Sequence, residues 1–164
     1  MEPAAAIGWF GLCALSGLAA AVVMDYPMSR QQEGFTPAYI AAGVLTRRPP
    51  AAVTRRAALV AHHAAGVLGG ILHGLAAFTL AAALPGPLAP ALAVGGIPLL
   101  AHVPAVTAVV VFVYLLFAHL VLPRAGGPAA AERATAVRGQ WLRSALVYGA
   151  ALTLAVPAIA LAVG

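Results

Sequence analysis

AALVAHHAAGVLGGILHGLAAFTLAAAL, residues 57–84, runs without a charged side chain from just after Arg55 and Arg56 to the first proline of the next segment, Pro85. A helix needs roughly 20 apolar residues to cross the hydrocarbon core of a bilayer, so this stretch is long enough for one crossing. Further along, no charge appears until Arg124, and the uncharged region Ala57–Pro123 has room for a second crossing. Two more uncharged segments, Pro3–Met24 and Ser144–Gly164, fit one crossing each. The expected fold is all-α: an integral membrane four-helix up-down bundle in a single domain, residues 1–164, with helices at about 4–24, 56–84, 99–122 and 140–163.

Composition agrees. The chain is 63% hydrophobic and 8% charged, with a mean hydropathy of +0.98, outside the range of soluble globular domains and in the direction of lipid-embedded helices. All nine basic residues are arginines and fall in two stretches, Arg30–Arg56 and Arg124–Arg143. Because arginines flanking apolar spans stay on the cytoplasmic side, this asymmetry predicts a multi-pass protein of the cell membrane with both termini outside. The net charge of +5 then points to anionic lipid headgroups at the cytoplasmic face rather than to nucleic acid, since the arginines flank apolar spans. The single cysteine, Cys13, excludes a disulfide framework, a cysteine zinc cluster or a CxxC redox pair. Glu2 and the Asp25-Tyr26-Pro27 run do not suit a cleaved signal peptide, and the first segment reads as a retained helix.

Between the first two spans, Thr36 as N-cap, Pro37 at the first helical position and the Pro49-Pro50 stop predict a short helix over 36–46. It is apolar but too short to span, and is expected at the cytoplasmic interface or dipping into the bundle. The outer connection, Pro85-Gly86-Pro87 through Pro90, Gly95-Gly96 and Pro98, is full of helix breakers and is expected to hug the outer leaflet, with a re-entrant loop as the alternative. Ala129–Arg138 reads as a helix kept in water by Glu132 and Arg133, and Trp141 as an interfacial anchor beside Gln140. No internal repeat is visible, which weakens a transporter reading.

Gly66, Gly70 and Gly74 place a glycine every fourth residue on the second span. In lipid, small residues bring helices together by letting backbones approach, so this face predicts a tight crossing. Gly8, Gly11, Ser16, Gly17 and Ala20 on the first span form a candidate partner ridge, and a homo-oligomer face has the same appearance in sequence. Five histidines, His62, His63, His73, His102 and His119, all lie in the uncharged middle region, where polar groups are costly and often functional. His62 and His73 lie about 20° apart on one helix face and roughly 16 Å apart along it. Antiparallel geometry puts His119 near the depth of His62, and His102 near that of His73.

Paired imidazoles from neighbouring helices, with glycines making room for a porphyrin, are how a b-type membrane cytochrome is built. His62 with His119 and His73 with His102 are therefore candidate haem b ligands. Against this, His102 and His119 point about 100° apart on a straight helix. The alternative is a packing role with no cofactor. Asp25 is a candidate ion or proton site if it faces His62 or His63, and an interfacial residue if it pairs with Arg30 or Arg55. No nucleophile motif, phosphate loop or HExxH is present, and the chain is not expected to be an enzyme, nor to hold a structural metal.

The runs GLAAAVVMD (residues 17–25), EGFTP (33–37) and AAGVLTRRPP (41–50) resemble small uncharacterised prokaryotic membrane proteins of haloarchaea. The resemblance implies a four-helix membrane protein and transfers no site. Taken together, the residues favour a non-catalytic membrane protein serving as a structural or accessory subunit of a larger membrane assembly. A b-type haem electron carrier and a proton or ion pathway are the alternatives.

Overall fold

The computed structural model describes residues 3–84, 93–94 and 96–163. Four long apolar helices pack as a bundle: α1 (Pro3–Ser29), α3 (Arg55–Ala83), α4 (Leu99–Ala125) and α6 (Ala134–Val163). Each is long and apolar enough to cross a membrane. Between the first two lies α2 (Thr36–Thr46), and a single short helix, α5 (Gly127–Glu132), precedes α6. The helices form a ring in which α1 packs on α3 and α6, and α4 packs on α3 and α6, with successive long helices antiparallel.

Three of the four rods are longer than the uncharged runs alone suggest. α1 continues through Asp25 and Pro27 to Ser29, carrying the carboxylate beyond the apolar run on a rigid helix. α4 reaches Ala125 by passing through a π-helical segment, Leu116–Val121, before Pro123. α6 begins at Ala134 rather than near residue 140, so the water-soluble helix expected over 129–138 is divided between α5 and the first turns of α6. Helical hydrogen bonds need no apolar side chains, so a rod can extend past the lipid-facing part of its sequence.

The bounds of α2 match the punctuation of the sequence, but Phe35 rather than Thr36 is the N-cap residue. The Thr36 hydroxyl instead donates to Glu33 Oε2 at 2.7 Å. The helix ends at Arg47, whose φ of 54° is left-handed, with the Arg48 N–H closing on Gly43 O at 2.9 Å. α2 buries Pro37, Ala38, Ile40, Ala42 and Gly43 against α3 and the end of α4, and leaves Val44 and Leu45 exposed. Ile40 joins Phe117, Leu122, Ala130 and Val137 in a satellite core at the arginine-rich end. Trp141, expected as an interfacial anchor, turns inward onto Phe117, with ring centroids 5.2 Å apart.

Of the outer connection, residues 85–92 and 95 lie outside the described residues, and with them most of the expected leaflet-hugging or re-entrant loop. The described part forms a two-residue antiparallel ladder, β1 (Ala93–Val94) with β2 (Ile97–Pro98), turning at Gly96 with φ of +75°. Ile97 is buried against the bundle.

Candidate functional site

The site begins with the closeness of α1 and α3. A Cβ at Gly70 would overlap the Cys13 carbonyl oxygen, one at Gly17 the Gly66 carbonyl oxygen, and one at Gly66 the Cβ of Ala21. At Gly74 a Cβ would meet Cys13 Sγ at 2.9 Å. The glycine face of α3 is thus filled from within the chain by α1, leaving it no room to serve as a homo-oligomer face. Ser16, Gly17 and Ala20 of the expected ridge are buried, while Gly8 and Gly11 face open space. With the backbones this near, side chains at the edges of the crossing reach the other helix: Trp9 Nε1 donates to Gly74 O at 3.0 Å.

At the arginine-rich end of the same crossing, Asp25 of α1 lies beside His62 and His63 of α3. His63 Nε2 is 2.9 Å from Asp25 Oδ2. His62 Nε2 is 3.2 Å from both Asp25 Oδ1 and Ala21 O, and its alignment favours the carbonyl. The expected pairing of Asp25 with Arg30 or Arg55 is not formed: Arg30 stacks over the Tyr26 ring at 5.1 Å, and Arg55 is exposed. A carboxylate on α1 meets imidazoles on α3 because the glycine crossing sets the rotation of both helices. The cluster is open on one side, with Asp25 29% and His63 30% exposed and His62 only 7%.

A second polar cluster lies near the opposite end of the bundle. His73 Nε2 and His102 Nδ1 are 2.9 Å apart, and His102 Nε2 is 3.0 Å from Thr153 O. Both imidazoles are fully buried. The carbonyl can only accept, so His102 carries its proton on Nε2 and His73 donates to His102 Nδ1. This leaves His73 Nδ1 as a buried acceptor without a partner. Between the two clusters, Tyr148 of α6 donates to Gly66 O at 2.8 Å, reaching across the bundle over Gly69.

The four candidate haem ligands are therefore not arranged as two depth-matched axial pairs. His73 and His102 do meet, but in a direct hydrogen bond shorter than the roughly 4 Å that two bonds of about 2 Å to one metal ion would set between them. His62 and His119 are apart: His62 faces α1, whereas His119, on the π-helical segment of α4, is exposed and stands edge-on to Tyr114 at 6.3 Å. The apolar cavity beside His62, lined by Met24, Gly69, Val110, Trp141 and Tyr148, is ≈ 50 Å³, against the roughly 300 Å³ or more that holds an organic ligand.

A third cluster had no counterpart in the sequence reading. Glu33, almost fully buried, pairs with Arg133, accepts from Thr36, and through its backbone N–H donates to Gln140 Oε1 at 2.7 Å. It ties the α1–α2 connection to α5 and α6. The partners are 100 residues apart in the chain, and the only local hint is an acidic residue inside the compact EGFTP turn.

Compared with known proteins, the chain matches no family model, no curated protein and no solved structure.

Proposed function

We propose that this chain is a non-catalytic, four-span membrane protein that acts as a structural or accessory subunit of a larger membrane assembly. One observation carries the reading: the large polar side chains buried between the spans bond from helix to helix, Trp9 to Gly74, His73 to His102, His102 to Thr153 and Tyr148 to Gly66. They hold the bundle together and stand in no nucleophile-and-base arrangement. The exterior carries large apolar side chains such as Val60, Leu68, Leu75, Leu146 and Leu154, a surface suited to lipid and to other membrane helices. The two arginine-bearing connections face the cytoplasm in this reading, against anionic headgroups, and both termini lie outside.

The test is purification in mild detergent from the organism that encodes it, followed by mass analysis and an absorbance spectrum. The expected result is a stoichiometric membrane partner and no haem bands. A chain that runs alone, or one with a reducible Soret band, overturns the reading. A second reading, a proton or ion pathway, is favoured by Asp25 standing between two imidazoles. Proton or cation flux into liposomes that is lost in Asp25→Asn would establish it.

A further inference from the structure

We infer that Asp25, His62 and His63 form a zinc-binding site that clamps the end of α1 to α3. Among the described residues, these three bring one ligand atom each to within 4.8 Å of one another. Bonds of about 2 Å in a tetrahedral site place ligand atoms about 3.3 Å apart. The imidazole nitrogens lie 3.2 Å from Oδ1 and 2.9 Å from Oδ2 of the carboxylate, near that spacing, and seating an ion requires the side chains to turn until all three ligand atoms face one point.

The donor set narrows the metal: two imidazoles and one carboxylate suit a divalent transition ion, of which zinc is the one proposed, whereas magnesium and calcium take oxygen ligands and cuprous copper prefers sulfur. Without the ion each Nε2 faces an acceptor oxygen and carries the imidazole proton. To bind, each ring gives up that contact and takes the other neutral tautomer, its Nε2 proton passing to water and one returning to Nδ1, so the lone pair on Nε2 is freed with no net release of protons. The ion takes over the role that the expected arginine partner does not fill, since among the described residues no arginine pairs with Asp25. The half-exposed side formed by Asp25 and His63 leaves a fourth position for water or for a donor from a partner protein. The site does not depend on the accessory role and stands whether or not a partner subunit is found.

The test uses the full-length chain without a histidine tag, purified in detergent, stripped with a chelator and titrated with zinc chloride against a chromophoric competitor. One zinc ion per chain is expected. Asp25→Asn and His63→Gln should each weaken binding about 100-fold, while His119→Gln, an exposed histidine elsewhere, leaves it unchanged. Cobalt(II) in place of zinc should give the intense visible absorption of a four-coordinate site, and lose it in Asp25→Asn. Thermal melts confirm that the variants are folded; Asp25→Asn is nearly isosteric and reads the result if His63→Gln does not fold. No saturable zinc binding by the wild-type chain, or equal affinity in a folded Asp25→Asn variant, overturns the inference.

Discussion

The two ends of the α3 helix carry the same residue type in opposite circumstances. At the arginine-rich end, His62 and His63 point at a carboxylate and the cluster is open on one side. Toward the other end, His73 is sealed and bonds another imidazole, which in turn bonds a backbone carbonyl. The sealed pair has one permitted proton arrangement and joins three helices, so it acts as a fixed crosslink. The open cluster has a charged oxygen, two nitrogens and access from outside, so it can exchange what it holds. Histidine in a membrane helix is therefore not one signal; the facing residue and the exposure decide what it does.

The largest expected effect comes from breaking both ends at once. Gly70 lies between the clusters with the Cys13 carbonyl against it, and Gly70→Leu should cost about 3 kcal/mol or more by forcing α1 away from α3. Thermal unfolding in detergent reads this directly, and Gly8→Ala, with open space around it, should leave the melting temperature unchanged. An unaltered melt for Gly70→Leu would show that the crossing does not hold the bundle.

A smaller effect separates the sealed end from the open one. His102→Leu strands the His73 N–H and the Thr153 carbonyl and should cost about 1–3 kcal/mol, whereas the double variant His73→Leu/His102→Leu should recover part of the loss, because only the carbonyl is then left without its donor. A double-mutant cycle with no coupling would contradict a direct bond between the two rings.

The smallest effect is at the open end. His63→Gln, at a half-exposed position, should change stability in metal-free buffer by less than about 0.5 kcal/mol. A loss as large as that of His102→Leu would remove the distinction between the two ends.

Much of this architecture is readable in advance, and the missing parts share a cause. The four rods follow from where arginines are absent, and α2 from Pro37 and the Pro49-Pro50 stop, because both signals are local. The similar depth of His73 and His102 follows from helix rise, though the contact of their rings also needs the rotation of both helices. The rotation of each helix about its axis is not local: it placed Asp25 against His62 and His63 instead of Arg30 or Arg55, and turned His119 outward on the π-helical segment of α4. Gly17 and Gly8 are the same residue type, but only the former meets α3, since nine residues at about 100° each put the two on opposite faces of α1. The Glu33–Arg133 pair depends on how α5 folds back over the α1–α2 connection, which no pattern within either segment encodes.

Tyr148 has a mechanical consequence for the whole ring. Four rods touching only their neighbours behave like a hinged square, which can skew into a lozenge without separating any adjacent pair. The phenol spans from α6 to Gly66 on the opposite rod, so it works as a diagonal brace and stiffens the frame against that skew. Gly69 then acts as the notch that receives the brace and Gly66 supplies the carbonyl that anchors it, so the spacing between opposite rods is set by the length of one tyrosine.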